Sequence, residues 1–280
     1  MVGCTAIFIP AISRKKVEKG KSLAVDTLYL DLEDSVAPEQ KTEARQLLLE
    51  MLAEGGFQGK NVWVRINSVG SAYWEDDVKA LAQQSAIQGL LLPNADLHAT
   101  ALLAERLDQY DSALSIVLLI ETARGLEEAR DAVLISKRVA GIQFGAEDYT
   151  ASMHMQRTLA GDEVRYARNR LANLAHAYNL EILDTPFTAI PDLENLRRDS
   201  EKSRDMGFMG RAVIHPSHLE IVREVYSPSE AEIAKARRIL AAYEAQSGEN
   251  LGVFTLDGEM IDAPIIQRAR NTLSKAGFTL

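Results

Sequence analysis

Carboxylates follow several apolar runs of this chain at the point where each run ends. Glu121 ends one such run, and Asp148 follows another. A third run leads into an acidic stretch that holds Asp31, Glu33 and Asp34. Because the C-terminal ends of parallel strands meet at one edge of a sheet, we expect these carboxylates to lie close together.

Clustered carboxylates with few thiols or histidines among them suit a hard divalent cation such as Mg²⁺. Without a cation these like charges would repel one another, and at least one group would be protonated. Arg65 and Asn67 end a further apolar run, and the planar guanidinium of Arg65 suits a substrate carboxylate. A metal beside an arginine predicts a site that chelates a hydroxy acid or an oxo acid.

Each of these residues, taken alone, also has a purely structural interpretation. An acid after a strand is a common helix N-cap, and this alternative applies to Asp148 and to Asp34. Arg65 alone is equally typical of an ordinary ion pair. The prediction of a site therefore rests on the coincidence of these residues at one edge of a sheet.

The apolar runs alternate with segments of helical spacing, and this alternation predicts the fold. The predicted strands are 6–10, 27–32, 62–66, 89–92, 114–120, 139–145, 180–183 and 212–214. Alternating helices and continuously apolar strands are typical of a parallel sheet, and eight units favour a closed (β/α)8 TIM barrel. A doubly wound sheet is the alternative, but it needs a glycine-rich phosphate-binding turn after an early strand, which this sequence lacks.

The chain continues beyond what a barrel requires. We predict a catalytic barrel over residues 1–223 and a C-terminal helical extension, or lid, over 224–280. Within the extension the sequence predicts a serine-capped helix over 230–245, a loop over 247–252, a hairpin-like turn at Asp257-Gly258, and a last helix from Asp262 to about Lys275.

Composition narrows the classes of partner and compartment. The formal net charge of −9 over 280 residues argues against nucleic acid or an anionic membrane surface as the main partner. The single cysteine, Cys4, cannot form an intramolecular disulfide, which is typical of a reducing cytosol. The N-terminal residues lack the features of a signal peptide, and no apolar run approaches the ~20 residues that span a bilayer. We expect a cytoplasmic protein.

Seven motifs resemble those of the citrate lyase β-subunit family, the CitE-like acyl-CoA lyases of the aldolase and citrate lyase superfamily. In chain order they are DLEDSV at 31–36, VRIN at 64–67, IETARG at 120–125, FGAEDY at 144–149, GFMG at 207–210, IHP at 214–216 and DGEMIDAP at 257–264. They cover nearly the whole chain in the family's order. Such a set is far more specific than any one motif.

The resemblance implies a barrel that binds Mg²⁺, with Mn²⁺ as an alternative, through Glu121 and Asp148, while Arg65 holds the substrate's carboxylate. It implies cleavage or formation of a carbon–carbon bond in a 3-hydroxyacyl-CoA of the citryl, citramalyl or malyl type, yielding acetyl-CoA and a 2-oxo acid. Family members commonly form trimers or pairs of trimers. In several of them the aspartate that matches Asp262 reaches a neighbouring subunit's site as acid or base.

Further residues are predicted to act beside the metal ion and the substrate. Asp31, Glu33, Asp34 and Asn67 are predicted to organise metal-bound water and Arg65. Asp262 is predicted to protonate the enolate that cleavage releases, although an aspartate before Ala-Pro is also a good N-cap. Arg14, Lys15 and Lys16 are candidates for contact with CoA phosphates, and a basic helix start is equally often only a solvated face.

The chain departs from the family pattern in two loops. Pro10-Ala11-Ile12 stands where the family usually has Pro-Gly, and Leu92-Pro93-Asn94 stands where it often has Leu-Pro-Lys. Both loops are expected near the acyl carrier, so CoA and an acyl-carrier protein stay open as carriers. Two other functions also stay open: a divalent-metal aldolase acting on free 2-oxo-4-hydroxy acids, and a β-subunit active only within a citrate lyase-type complex.

Overall fold

The computed structural model describes residues 3–246 and 253–278. The loop predicted over 247–252 lies outside the described residues. The chain divides into two compact units, Met1–Arg223 and Glu224–Leu280.

Eight parallel strands of the first unit close into a barrel in the order of the sequence, which confirms the predicted (β/α)8 fold. The strands are β1 (Thr5–Pro10), β2 (Thr27–Asp31), β3 (Asn61–Arg65), β4 (Gly89–Leu92), β5 (Ser115–Ile120), β6 (Val139–Phe144), β7 (Glu181–Asp184) and β8 (Gly210–Val213). Pairing of β1 with β8 completes the closure. The register sets Asp31 beside Arg65, so these two side chains start from adjacent strand ends.

Helices alternate with the strands and cover the barrel. They are α1 (Arg14–Ser22), α2 (Lys41–Glu54), α3 (Trp74–Leu81), α4 (Leu97–Gln109), α5 (Ala123–Leu134), α6 (Ala146–Ser152), α7 (Arg165–Ala177), α8 (Leu193–Asp205) and α9 (Leu219–Tyr226). Thr122 caps α5 by accepting a hydrogen bond from the backbone N of Gly125 at 2.9 Å. No helix in the described part of the chain is long and apolar enough to cross a membrane.

Large side chains fill the barrel interior, as expected for a barrel of this size. The interior cluster consists of Ala6, Tyr29, Trp63, Leu91, Val117, Leu119, Leu183 and Ala212, with Phe8 packed against it. Gly89 makes room for the largest of them, because a Cβ there would lie 2.4 Å from the Trp63 ring and 2.2 Å from the Ser115 carbonyl oxygen.

A buried ionic cluster joins the last two strands to the helices around them. Arg168 of α7 donates two hydrogen bonds of 2.8 Å to the carboxylate of Asp199 on α8 and contacts Asp184 at 2.9 Å. Arg211 of β8 contacts Asp184 at 2.6 Å and Asp199 at 2.7 Å. Burial by itself would raise the pKa of Asp199, but the two arginines lower it well below its usual range. The strand-end acid Asp184 is therefore engaged in this cluster.

The second unit has its own small core. It contains α10 (Glu230–Gln246), β9 (Phe254–Leu256), β10 (Glu259–Ile261) and α11 (Ala263–Lys275). Ser229 caps α10, which confirms the predicted serine cap, and Glu232 completes a capping box by accepting a hydrogen bond from the backbone N of Ser229. Asp257 and Gly258 both have positive φ and join the antiparallel pair β9 and β10, which confirms the predicted turn.

Removing one member of the ionic cluster should destabilise the barrel strongly. Arg168→Leu leaves two buried aspartates with one arginine, so we expect it to lower the free energy of unfolding by about 3–5 kcal/mol. Arg198→Leu is the matched control, because Arg198 also lies on a barrel helix but forms an exposed pair with Glu194. It should change stability by less than about 1 kcal/mol. Urea denaturation measures both, and equal midpoints would contradict the role given to the cluster.

Candidate functional site

A cavity of about 430 Å³ lies at the C-terminal ends of the barrel strands. Its charged lining consists of Lys16, Asp31, Asp34, Arg65, Glu121, Glu147 and Asp148. Its apolar lining includes Phe8, Leu119, Phe144, Pro186 and Ile214. Six of the residues predicted from the sequence thus meet in one cavity, namely Lys16, Asp31, Asp34, Arg65, Glu121 and Asp148.

Glu121 and Asp148 approach each other across the ends of β5 and β6. Glu121 is 3% exposed and Asp148 is exposed, and the two carboxyl groups lie within hydrogen-bonding reach of each other. Gly145 permits this approach, because a Cβ there would lie 2.7 Å from the Glu121 Cβ and 2.9 Å from its Oε2. Gly145 occupies the N-cap position of α6 and Asp148 lies within its first turn, so the N-cap alternative for Asp148 is wrong.

The electrostatics of this pair favour a bound cation. Burial raises the pKa of Glu121 to about 8, aided by the charges of Glu33 and Asp148 and opposed by a backbone hydrogen bond from Asn94. Burial, and then the charge of Asp34, also raise the pKa of Asp148. Two touching carboxyl groups whose charged forms are disfavoured fit a hard divalent cation, which would stabilise both as carboxylates.

Waters and substrate oxygens would complete the ligands of such a cation. Within 3–246 and 253–278, no three His, Cys, Asp or Glu side chains are grouped so that they could hold a metal ion. Mg²⁺ is commonly bound by one or two carboxylates together with waters and substrate oxygens, so two carboxylates suffice for it.

Arg65 is held by three carboxylates at the cavity wall. Its Nε and Nη2 donate to the two oxygens of Asp31 at 2.7 Å each, and its Nη1 contacts Asp34 at 3.0 Å and Glu33 at 3.1 Å. The guanidinium also lies 5.0 Å from the centre of the Phe8 ring. These contacts fix the plane of the guanidinium before any ligand binds.

Arg65 and its carboxylates shift one another's pKa values. Burial alone would raise the pKa of Asp31, but Arg65 reverses the effect and lowers it. Burial would lower the pKa of Arg65, and the carboxylates raise it, Asp31 most. Burial raises the pKa of Glu33 to about 7 despite Arg65. Asp31 and Arg65 therefore form a permanently charged pair.

Other predicted residues lie elsewhere. Asn67 donates from its backbone N and its side chain to Asp77, at 2.9 and 2.6 Å, and does not line the cavity. Arg14 pairs with Glu50 and Glu54 on α2. Lys15 is exposed and away from the cavity lining, whereas Lys16 belongs to it.

Asp262 belongs to the second unit. It caps α11, accepting a hydrogen bond from the backbone N of Ile265 at 3.2 Å. The N-cap interpretation of Asp262 is therefore confirmed, and its catalytic role stays a prediction.

Two residues that the sequence did not assign to the site connect its parts. Asn94 donates from its backbone N to Glu121 Oε1 at 2.6 Å and from its side-chain amide to Ser68 Oγ at 3.1 Å. Ser68 in turn donates to Glu33 Oε1 at 2.7 Å. The sequence offered one signal, an asparagine directly after a strand and a proline, which is typical of a left-handed turn position.

Comparisons with known proteins show the family of this chain. A family model described as HpcH/HpaI aldolase/citrate lyase matches residues 5–216. Citrate lyase subunit beta of Leuconostoc mesenteroides subsp. cremoris is 30% identical, over 97% of this chain and 92% of that protein. The mitochondrial citramalyl-CoA lyase of Homo sapiens is 31% identical, over 96% and 84%. The structure of protein CitE from Mycobacterium tuberculosis in complex with magnesium, acetoacetate and coenzyme A has a TM-score of 0.82, 31% identity and 99% coverage of both chains.

The buried carboxyl of Glu121 should make the metal-free protein less stable as pH rises. Its pKa lies at about 8 in the folded chain against an ordinary value of 4.5. The stabilisation from the protonated form is therefore complete below about pH 4.5 and lost as pH rises towards 8, by about 1.4 kcal/mol for each unit of pKa difference. In EDTA, the melting temperature of Glu121→Gln should fall less between pH 5 and pH 9 than that of the wild type. Exposed Glu220→Gln is the control, and parallel profiles of wild type and Glu121→Gln would contradict the shift.

Proposed function

The chain belongs to the HpcH/HpaI aldolase/citrate lyase family and is a carbon–carbon lyase with an acyl-CoA lyase-type reaction. We propose that it works with Mg²⁺ and that its substrate is a 3-hydroxyacyl-CoA. The products of cleavage would be acetyl-CoA and a 2-oxo acid, and the reverse reaction would form the thioester. The observation that carries this proposal is the contact between the carboxyl groups of Glu121 and Asp148 in a cavity that also holds Arg65.

Cleavage of a 3-hydroxy thioester makes three demands on the site. The hydroxyl group must lose its proton as it becomes a carbonyl, the new 2-oxo acid must be held, and the thioester enolate must be protonated at carbon. Mg²⁺ between Glu121 and Asp148 would supply Lewis acidity that lowers the pKa of the hydroxyl group. Mn²⁺ would serve by the same donor set.

Arg65 would orient the substrate through its carboxylate. Asp31 takes the Nε–H and one of the two N–H groups on Nη2, so among the described contacts the second N–H of Nη2 is left for the ligand. Because Asp31, Glu33 and Asp34 hold the guanidinium in place, the substrate would meet a donor whose plane is already set. Asp31, Glu33 and Asp34 would also organise water around the cation.

Asp262 is our candidate for protonation of the enolate carbon. We propose that the protein assembles as a trimer or a pair of trimers and that Asp262 acts in a neighbouring subunit's site. Lys16, with Arg14 and Lys15 nearby in the sequence, would meet the phosphates of CoA. The single cysteine agrees with a cytoplasmic enzyme.

The charges of the cavity favour a substrate with one free carboxylate. Five carboxylates and two cationic side chains belong to the described lining, Asp31, Asp34, Glu121, Glu147 and Asp148 against Lys16 and Arg65. The carboxylate of malyl-CoA or citramalyl-CoA can pair with Arg65. Citryl-CoA carries a second carboxylate, which would face acidic side chains and raise the free energy of binding. We therefore place malyl-CoA and citramalyl-CoA ahead of citryl-CoA.

A panel of substrates tests the proposed function. The purified chain with Mg²⁺ should cleave malyl-CoA or citramalyl-CoA with a kcat/KM at least about tenfold above that for citryl-CoA, a difference of about 1.4 kcal/mol in the transition state. Glu121→Gln and Asp148→Asn should each lose more than the roughly 10–100-fold typical of a residue that only supports a metal ligand. EDTA should abolish the activity, and Mg²⁺ should restore it.

Two outcomes of the same panel would replace the proposal. Equal cleavage of free 4-hydroxy-2-oxo acids would identify a divalent-metal aldolase. Activity that appears only after a citrate lyase-type acyl-carrier protein is added would identify a subunit of a larger complex.

Asp262→Asn separates a catalytic role from a capping role. Asparagine caps helices as well as aspartate does, so the melting temperature should stay close to that of the wild type. Turnover should fall by at least about 100-fold, since the amide cannot deliver the proton. Asp192→Asn is the matched control, because Asp192 caps α8 by the same kind of bond, to the backbone N of Asn195 at 3.1 Å. A fully active Asp262→Asn variant would leave Asp262 as a cap only.

A further inference from the structure

Asn94 connects Glu121, on one side of the site, to Glu33 and Arg65 on the other. Its backbone N donates to Glu121 Oε1, and its side-chain amide reaches Ser68, which donates to Glu33. Glu33 in turn contacts Arg65 at 3.1 Å. A continuous series of hydrogen bonds and one ion pair therefore runs from Glu121 to Arg65, across the loops that follow β2, β3, β4 and β5.

The backbone of Asn94 explains why the residue type matters. Its φ is +49°, in the left-handed region that most side chains avoid and that asparagine tolerates better than others. In this conformation the backbone N of Asn94 donates to Glu121 while its side-chain amide donates to Ser68. A residue without this tolerance would tend to turn the backbone N away from Glu121.

The two oxygens of Glu121 have separate surroundings. Oε1 accepts the hydrogen bond from Asn94 at 2.6 Å, whereas Oε2 lies on the side of Gly145, within 2.9 Å of where a Cβ on that glycine would stand. Asp148 follows Gly145 by three residues and shares a hydrogen bond with Glu121. The bond from Asn94 therefore holds Oε1 and leaves Oε2 on the side of Gly145, from which α6 and Asp148 begin.

We propose that Asn94 is a positioning residue that fixes Glu121 by one carboxylate oxygen and so presents the other to the divalent cation. The inference rests on the proposed function, since it assumes that Glu121 and Asp148 hold a metal. Ser68 and Glu33 extend the same restraint to Arg65. The metal ligand and the substrate-orienting guanidinium are thus set relative to each other before either ligand binds.

Mn²⁺ binding, followed by the electron paramagnetic resonance of the free ion, tests the proposal without any turnover. Asn94→Ala should raise the Kd for Mn²⁺ about tenfold, at the lower end of the range for residues that support a metal ligand. Asn94→Gly keeps access to the left-handed backbone and loses only the link to Ser68, so its Kd should rise by about threefold or less. The affinity for Mg²⁺, measured by its competition with Mn²⁺, should also fall more in Asn94→Ala than in Asn94→Gly.

Asn179→Ala is the matched control, because Asn179 also has a left-handed φ, +54°, and follows α7 outside the cavity lining. It should lower the melting temperature about as much as Asn94→Ala does and leave the Kd unchanged. A Kd for Asn94→Ala within twofold of the wild type would overturn the proposal. If Asn94→Ala does not fold, Asn94→Ser takes its place, because serine also tolerates the left-handed region less well than asparagine, and a Kd within twofold of the wild type in that variant is equally decisive against it.

Glu121→Gln distinguishes this proposal from the metal site itself. If Glu121→Gln loses Mn²⁺ binding while Asn94→Ala keeps it, the metal site stands and the role of Asn94 is overturned. If Glu121→Gln binds Mn²⁺ as the wild type does, the metal site of the proposed function fails, and the positioning role fails with it.

Discussion

Two carboxyl groups in contact, Glu121 and Asp148, set the electrostatic constraint on which the rest of the site depends. Burial disfavours the charged form of both groups, and nearby negative charges add to it, those of Glu33 and Asp148 for Glu121 and that of Asp34 for Asp148. Bringing them together requires a glycine at position 145, where a Cβ would collide with Glu121. A divalent cation relieves the repulsion that the fold creates, which is why the arrangement fits a metal-dependent reaction.

Arg65, elsewhere in the lining of the same cavity, is a buried positive charge, whereas Glu121 and Asp148 are acids. A guanidinium that is nine-tenths buried needs carboxylates to keep its charge, and Asp31, Glu33 and Asp34 provide them. The same contacts set the direction of its remaining donor. The cavity therefore contains a preorganised positive group and a pair of acids next to each other, which is the combination that a chelated hydroxy or oxo acid requires.

A second ionic cluster, of Arg168, Asp184, Asp199 and Arg211, lies outside the described cavity lining. It joins β7 and β8 to α7 and α8 through side chains that are at most 9% exposed. Because each charge there depends on the others, alternative pairings of these elements would leave buried charges unpaired. Asp184 shows that an acid at a strand end serves the fold or the site according to its neighbours.

Much of the fold could be predicted from local patterns in the sequence. The alternation of apolar runs and helical segments predicted the barrel, and acids and Arg65 at strand ends predicted its cavity, because strand ends of a parallel barrel must meet at one rim. Motif order also pointed to the family to which the chain belongs. The capping box at Ser229 and the turn at Asp257-Gly258 were predictable because their physics involves residues only a few positions apart.

The contacts that each predicted residue makes at the C-terminal ends of the strands depended on the tertiary structure. Asn67 turns to Asp77, Arg14 pairs with α2, and Asn94 joins Glu121, each through a partner at least ten positions away in the sequence. The residue types along this chain determined which side chains could do chemistry and roughly where the strands would present them. Only the folded barrel decided which of those side chains touch, because the distances between loops from different strands are set by packing and closure rather than by spacing along the chain.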